Sequence, residues 1–235
     1  MHGNICSPLT SSLAAACLAF ASFAATAAPA RAEIAWEISR NGSAVGEVLD
    51  SLEQDGNSYR ITSTTRGRGL LSLAGDVRRS SRGTIVAGAL RPGEFEDART
   101  GRDPARASFD WSSHTLTQQS KGQSQTTALP ADAYDRLTQL YGFAFRAPPD
   151  GLIPMNVADG RGVSAYTFQV VGRETLKLPT GDVETLKVAK RKDQPGDRST
   201  EIWLAIKQHL LPVRVLVVEK DGTRIDQVAT RVSVQ

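Results

Sequence analysis

Short runs of alternating apolar and polar residues recur along most of the chain, each bounded by a turn signal. EIAWEISR is followed by Asn41-Gly42 and then SAVGEVLDSLEQ, two runs split by a dipeptide that favours a two-residue hairpin turn. Asp55-Gly56 turns into NSYRITSTTR, where Tyr59, Ile61, Ser63 and Thr65 share one face and Ser58, Arg60, Thr62 and Thr64 the other. A period of two with β-branched residues favours strand over helix. The same pattern returns in ASFDWSSHTLTQQ, in VSAYTFQVVGRETLKL, and in VETLKVAKRK after the turn at Thr180-Gly181-Asp182. Near the end, EIWLAIKQHLLPVRVLVVEKDG would need a helix to tolerate Pro212. A strand at EIWLAI, a turn near Lys207-Gln208-His209 and a second strand at PVRVLVVEK accommodate it, and Asp221-Gly222 leads into TRIDQVATRVSV. Trp203 and Leu204 then point to opposite faces of one strand.

One segment breaks the rhythm. In ALPADAYDRLTQLYGFAFRAPP, the residues Tyr134, Leu137, Leu140, Tyr141, Ala144 and Phe145 recur at spacings of three and four, the apolar stripe of a helix over about 131–145. Pro130 and Asp132 suit its first turn, and Pro148-Pro149 stops it. The fold expected is mainly β: a single curled antiparallel sheet, barrel or half-barrel, with this one short amphipathic helix packed over the sheet or across its mouth.

The first 32 residues change the setting of that fold. An apolar run from Leu13 to Ala28, followed by Ala30 and Ala32 in A-x-A spacing, has the form of a secretory signal, although no Lys or Arg precedes the run. The expectation is cleavage near Ala32, release into the periplasm, and a single β-rich domain over residues 33–235. The run falls short of the roughly 20 residues a membrane span needs, so no transmembrane span is expected in the mature chain. Cleavage also removes Cys6 and Cys17, leaving no disulfide and no thiolate chemistry. With Arg31 gone, 27 Lys and Arg stand against 25 Asp and Glu, a net charge of +2.

That near-neutral balance argues against a nucleic-acid partner. Basic clusters occur at Arg66/Arg68, Arg78/Arg79/Arg82 and Lys187/Lys190/Arg191/Lys192, but no nucleic-acid-binding motif accompanies them. A membrane barrel would carry aromatic girdles at both interfaces, and only 12 aromatics remain once Phe20 and Phe23 leave with the signal. His114 and His209 are too few and wrongly spaced for a zinc site, so no metal is expected. Ser112-Ser113-His114 is sequence adjacency rather than a catalytic triad, and no phosphate loop or dinucleotide fingerprint is present. The acids Glu94, Glu96, Asp97, Asp182 and Glu184 suit solvated strand faces. Neither an enzymatic activity nor a cofactor is expected.

Several short pieces carry a resemblance when taken in order. They are Trp36, Gly42 and Gly46-Glu47 in the opening hairpin, then Tyr59 and Gly69-Leu70. Ser81, Gly83, Leu90, Pro92 and Phe95 follow in SRGTIVAGALRPGEF, and Asp135, Leu137 and Tyr141 in the helix. Gly181, Thr185, Leu186, Trp203, Leu204, Ala205, Leu211 and Pro212 complete the series. In this order the chain resembles the bacterial family called domain of unknown function 3108, exported proteins of Gram-negative envelopes. It departs at Ile206-Lys207, where the family tends to have a Pro-Asp turn. The resemblance implies an envelope protein with a curled antiparallel sheet and transfers no catalytic residue. The function expected is a periplasmic binding or carrier module for a lipid or other amphiphile, with Tyr134, Leu137, Tyr141, Phe145 and Trp203 as candidate ligand-binding residues. The alternative is a structural or interaction protein with a solid core and an envelope protein as partner.

Overall fold

A computed structural model describes residues 28–192 and 194–235. The expected signal segment lies outside the described residues except for its last few, of which Arg31 and Ala32 open the first strand. The chain runs β1 (Arg31–Arg40), β2 (Ser43–Asp55), β3 (Ser58–Gly67), a 3-10 turn (Gly69–Ala74), β4 (Val77–Val86), β5 (Ala89–Arg99), β6 (Arg102–Asp110), β7 (Thr115–Ser120) and β8 (Gln123–Ala128). There follow β9 (Ala133–Asp135), α1 (Thr138–Tyr141), a second 3-10 turn (Gly142–Ala144), β10 (Leu152–Ala158), β11 (Val163–Leu178), β12 (Gly181–Lys190), β13 (Ser199–Ala205), β14 (Leu211–Val218) and β15 (Arg224–Val234).

All 15 strands form one sheet in the order β8-β7-β6-β5-β4-β3-β2-β1-β15-β14-β13-β12-β11-β10-β9. The chain therefore starts mid-sheet, meanders out to one edge, jumps to the other edge, and meanders back until β15 pairs with β1. Neighbours are antiparallel except β9, which pairs parallel with β10. The expected turn at Asn41-Gly42 has positive φ at both residues, 50° and 85°, the geometry of the two-residue hairpin whose twist matches its strands.

The jump between edges dictates the curvature. Ala128 ends β8 and Ala133 begins β9, so the link spans at most about 18 Å fully extended. A flat sheet of this many strands would be roughly 65 Å wide. The sheet must roll until its edges nearly meet, and it does so without closing: β8 and β9 remain edges, giving an open, barrel-like sheet. Side chains make the seam instead. Ser81 on β4 donates to Asp135 on β9 at 2.6 Å, and Arg161 in the β10–β11 turn donates to Asp97 on β5 at 3.0 Å. Gly160 in that turn, at φ +81°, lies so close to β6 that a Cβ there would come within 2.5 Å of the Arg106 nitrogen.

Two apolar clusters fill the roll. One gathers Ile34, Trp36, Leu52, Ile61 and Phe95, the other Met155, Phe168, Val188, Ile202 and Leu204, and Leu140 packs against both. Each large side chain withdrawn from water contributes about 1.5–3 kcal/mol of transfer free energy.

The helix expected over about 131–145 is realised only as the four residues of α1 with a 3-10 turn behind it. Asp135 accounts for the difference. Its Oδ1 accepts the backbone N–H groups of Leu137 and Thr138 at 2.8 and 2.9 Å, while its own N–H donates to the Thr138 hydroxyl at 2.8 Å. This reciprocal arrangement, akin to a capping box, starts the helix after Asp135. Ala133–Asp135 instead pairs with Asn156–Ala158 as a strand.

Candidate functional site

Rolling the sheet around α1 leaves a cavity of about 330 Å³ between the helical segment and the inner faces of both halves. Strand alternation puts Ile38, Val48, Val157, Phe168, Ile202 and Val215 on its wall, while Leu137 and Leu140 form the helical side. Four cationic side chains also line it: Arg79, Arg136, Lys190 and Arg198. Each has a partner. Arg136 makes two contacts with Asp159 at 2.6 and 3.0 Å, and Arg198 donates to Glu219 at 3.0 Å. The Lys190 ammonium sits 4.7 Å from the centre of the Tyr166 ring, within cation–π range.

Arg79 is the most buried of the three arginines. Its Nε lies 3.7 Å from Asp97, whose side chain is 1% exposed, and makes no hydrogen bond among the described residues. Burial works against the Arg79 charge and Asp97 supports it. At Asp97 burial favours the neutral acid, but the charge of Arg79, the hydrogen bond and charge of Arg161 and the charge of Arg99 outweigh it and hold the carboxyl below its usual range.

The cavity floor is polar and buried. Asp50 accepts hydrogen bonds at Oδ2 from Trp36 Nε1 at 2.9 Å and from the Tyr141 hydroxyl at 2.6 Å, while its Oδ1 has no hydrogen-bond partner among the described residues. Burial raises its pKa against the influence of Ser63, Tyr141, Trp36 and Arg79. Behind it runs a second polar chain, Tyr59 to Ser81 to Asp135. Ser81 donates to Asp135, so its oxygen accepts the Tyr59 hydroxyl at 3.0 Å. Burial raises the Asp135 carboxyl to about 6, although Ser81, Thr138 and Leu137 all donate to it.

The five residues expected to bind ligand are not brought together. Leu137 lines the cavity. Tyr141 is buried beside it, with its hydroxyl committed to Asp50. Tyr134 packs against the second apolar cluster and Phe145 against the first. Trp203 lies on the opposite face of the sheet from its cavity-lining neighbour Ile202. Its indole donates to Glu174 at 2.5 Å and has Lys187 and Arg214 each 4.7 Å from the ring centre. His209 is a turn residue with φ 53°, and the acids Glu94 and Glu96 pair with Arg82 and Arg106. Among the described residues no group of three or more His, Cys, Asp or Glu side chains converges.

The residues missed were Arg79 and the Asp50 and Asp135 networks. A signal for one of them was present: Asp135 and Thr138 stand three apart at the start of an apolar periodicity, the spacing of reciprocal caps. Arg79 gave none, because it stands in a run with Arg78 and Arg82, arginines of the opposite face.

A solved structure shares the architecture. A β-barrel-like protein of domain of unknown function DUF1849 from Brucella abortus superposes with TM-score 0.58 at 8% identity, over 89% of this chain and 99% of that one. A protein of YmcC-like fold from Bacteroides fragilis gives TM-score 0.39 at 10% identity, over 88% and 97% of the two chains. The first is a likeness of fold alone, and the second is too distant to add to it. No curated protein matches the chain in sequence. The family that does match does so over residues 32–229, from the first core strand to the last: the chain belongs to DUF3108, the proteins of unknown function whose resemblance its sequence carries.

Proposed function

We propose that the protein is a non-enzymatic carrier module of the cell envelope, exported with loss of its signal segment, whose cavity holds one small amphiphile with an anionic head. The observation that supports this is the cavity itself. Its volume, about 330 Å³, sits at the lower end of ligand pockets, roughly 300–1,000 Å³, which suits one short acyl chain better than a diacyl lipid. Apolar side chains on several strands offer the tail a surface to leave water for. Three of the four cations face carboxylates, and among the described residues Lys190 meets a ring, which leaves its charge for a head group. Arg79 Nε, without a hydrogen-bond partner among the described residues, is a buried donor for the ligand to satisfy.

Native mass spectrometry of protein purified from its own envelope tests this reading. The expected spectrum shows the mature chain carrying one anionic amphiphile, released on acidification or with organic solvent. Protein that is uniformly bare, and that stays bare after incubation with medium-chain fatty acids, would refute the proposal and favour a structural protein with a protein partner.

A further inference from the structure

The 3-10 turn between β3 and β4 exposes what the rest of the molecule hides. Leu70, Leu71 and Leu73 are 87%, 51% and 84% exposed, in a stretch without charge from Gly69 to Gly75. Three leucines on one protruding turn make an apolar patch, unlike the isolated exposed aliphatics found elsewhere on the surface.

Several polar groups of this turn are satisfied within it or at its base. The Leu71 N–H donates to Arg68 O, the Gly75 N–H to Ser72 O and the Ser72 hydroxyl to Gly69 O, at 3.2, 3.2 and 2.7 Å. The Arg68 N–H is held by Val45 O at 2.9 Å. Such internal pairing lowers the cost of taking a backbone out of water.

Charge gives the turn an orientation. Arg66 and Arg78, 62% and 71% exposed, flank its base and share one carboxylate, Asp76, at 3.6 Å each. Two guanidinium groups thus stand over one acid, while Arg68 is held by Glu37 and Glu47. The turn also stands at the rim of the cavity, because Thr65 and Val77, which flank it on β3 and β4, line that cavity.

From these features we infer that the Gly69–Ala74 turn is a membrane-contact element. Leu70 and Leu73 enter the acyl region of a bilayer leaflet, with Leu71 at its boundary, and Arg66 and Arg78 meet anionic head groups. A protein groove would need complementary shape, which three leucines on a convex turn do not demand. A bilayer takes them as they are and would place the cavity mouth at the lipid surface. The inference goes beyond the carrier reading and stands or falls separately, since it is read from vesicle binding and not from cavity occupancy.

The test is flotation of the mature protein with vesicles of phosphatidylethanolamine and phosphatidylglycerol. The expected result is that wild type floats and that the double variant Leu70→Glu/Leu73→Glu loses about a hundredfold or more in partition coefficient, from the lost burial of two leucines. Leu152→Glu and Val171→Glu, at exposed apolar positions elsewhere, are expected to float like wild type. Replacing the anionic vesicles with pure phosphatidylcholine is expected to weaken binding about tenfold. Because every substituted side chain is exposed, the variants are expected to melt like wild type, which circular dichroism verifies. The inference is overturned if wild type does not float, if the double variant floats equally well, or if both lipid compositions bind alike. A concentration-dependent dimer that the double variant abolishes, without flotation of wild type, would also overturn it and assign the turn to a second copy of the chain.

Discussion

Replacing Asp135 by Asn tests the side-chain seam between the two ends of the roll. Asp135 is 0% exposed and its pKa rises from the ordinary 3.8 to about 6, chiefly through burial. The folded state therefore holds the proton more tightly than the unfolded chain does. The resulting stabilisation is complete below the unfolded value and is lost as the pH rises through the folded one. A difference of roughly two pKa units corresponds to about 3 kcal/mol in full, of which about 2 kcal/mol falls between about pH 4 and pH 7. Asn keeps an acceptor for the Leu137 and Thr138 N–H groups and does not titrate in this range. Urea unfolding of both proteins across this range gives the difference in stability at each pH, which removes the contributions of Asp50 and Asp97. Wild type is expected to lose about 2 kcal/mol relative to Asp135→Asn on going from about pH 4 to pH 7. A difference curve that is flat, or that rises with pH, would show that Asp135 ionises in the folded protein as easily as in the unfolded chain, and would refute the reasoning.

Two further substitutions probe the same interior. Tyr141→Phe removes a 2.6 Å hydrogen bond to the buried Asp50, and is expected to lower the unfolding free energy by about 1–3 kcal/mol with an unchanged denaturant slope. Gly160→Ala forces a Cβ to within 2.5 Å of the Arg106 backbone at φ +81°. It is expected to cost about 1–3 kcal/mol and to raise hydrogen exchange in the β10–β11 turn before the rest of the sheet.

How much of this was legible in the sequence follows from the physics of each element. The strands could be read because alternation and turn dipeptides are local: Asn41-Gly42 specifies its hairpin through its own backbone preferences. The helix was only half legible. The stripe from Tyr134 to Phe145 has helical spacing, but the Asp135 carboxylate takes the first free N–H groups and the edge of β10 captures Ala133–Asp135. Trp203 could be placed opposite Leu204, yet alternation does not say which face of a strand becomes concave. The cavity was hidden for the same reason, since the side chains around it come from strands far apart in sequence. Arg79 and Asp97 meet across β4 and β5, and Asp97 meets Arg161 only because the sheet rolls. Ionic contacts of that kind follow from the rolled geometry, and no local pattern encodes them.

The cavity is tested most directly by filling it. Val215→Trp places an indole into the lining beside Ile202, which Val215 faces across β13 and β14. Calorimetric titration of wild type with a medium-chain fatty acid such as laurate is predicted to show one saturable site per chain. The filled variant, folded by circular dichroism, is predicted to show none. Equal binding by the two proteins, or no binding by a wild type first stripped of lipid, would contradict the assignment of this cavity as the site.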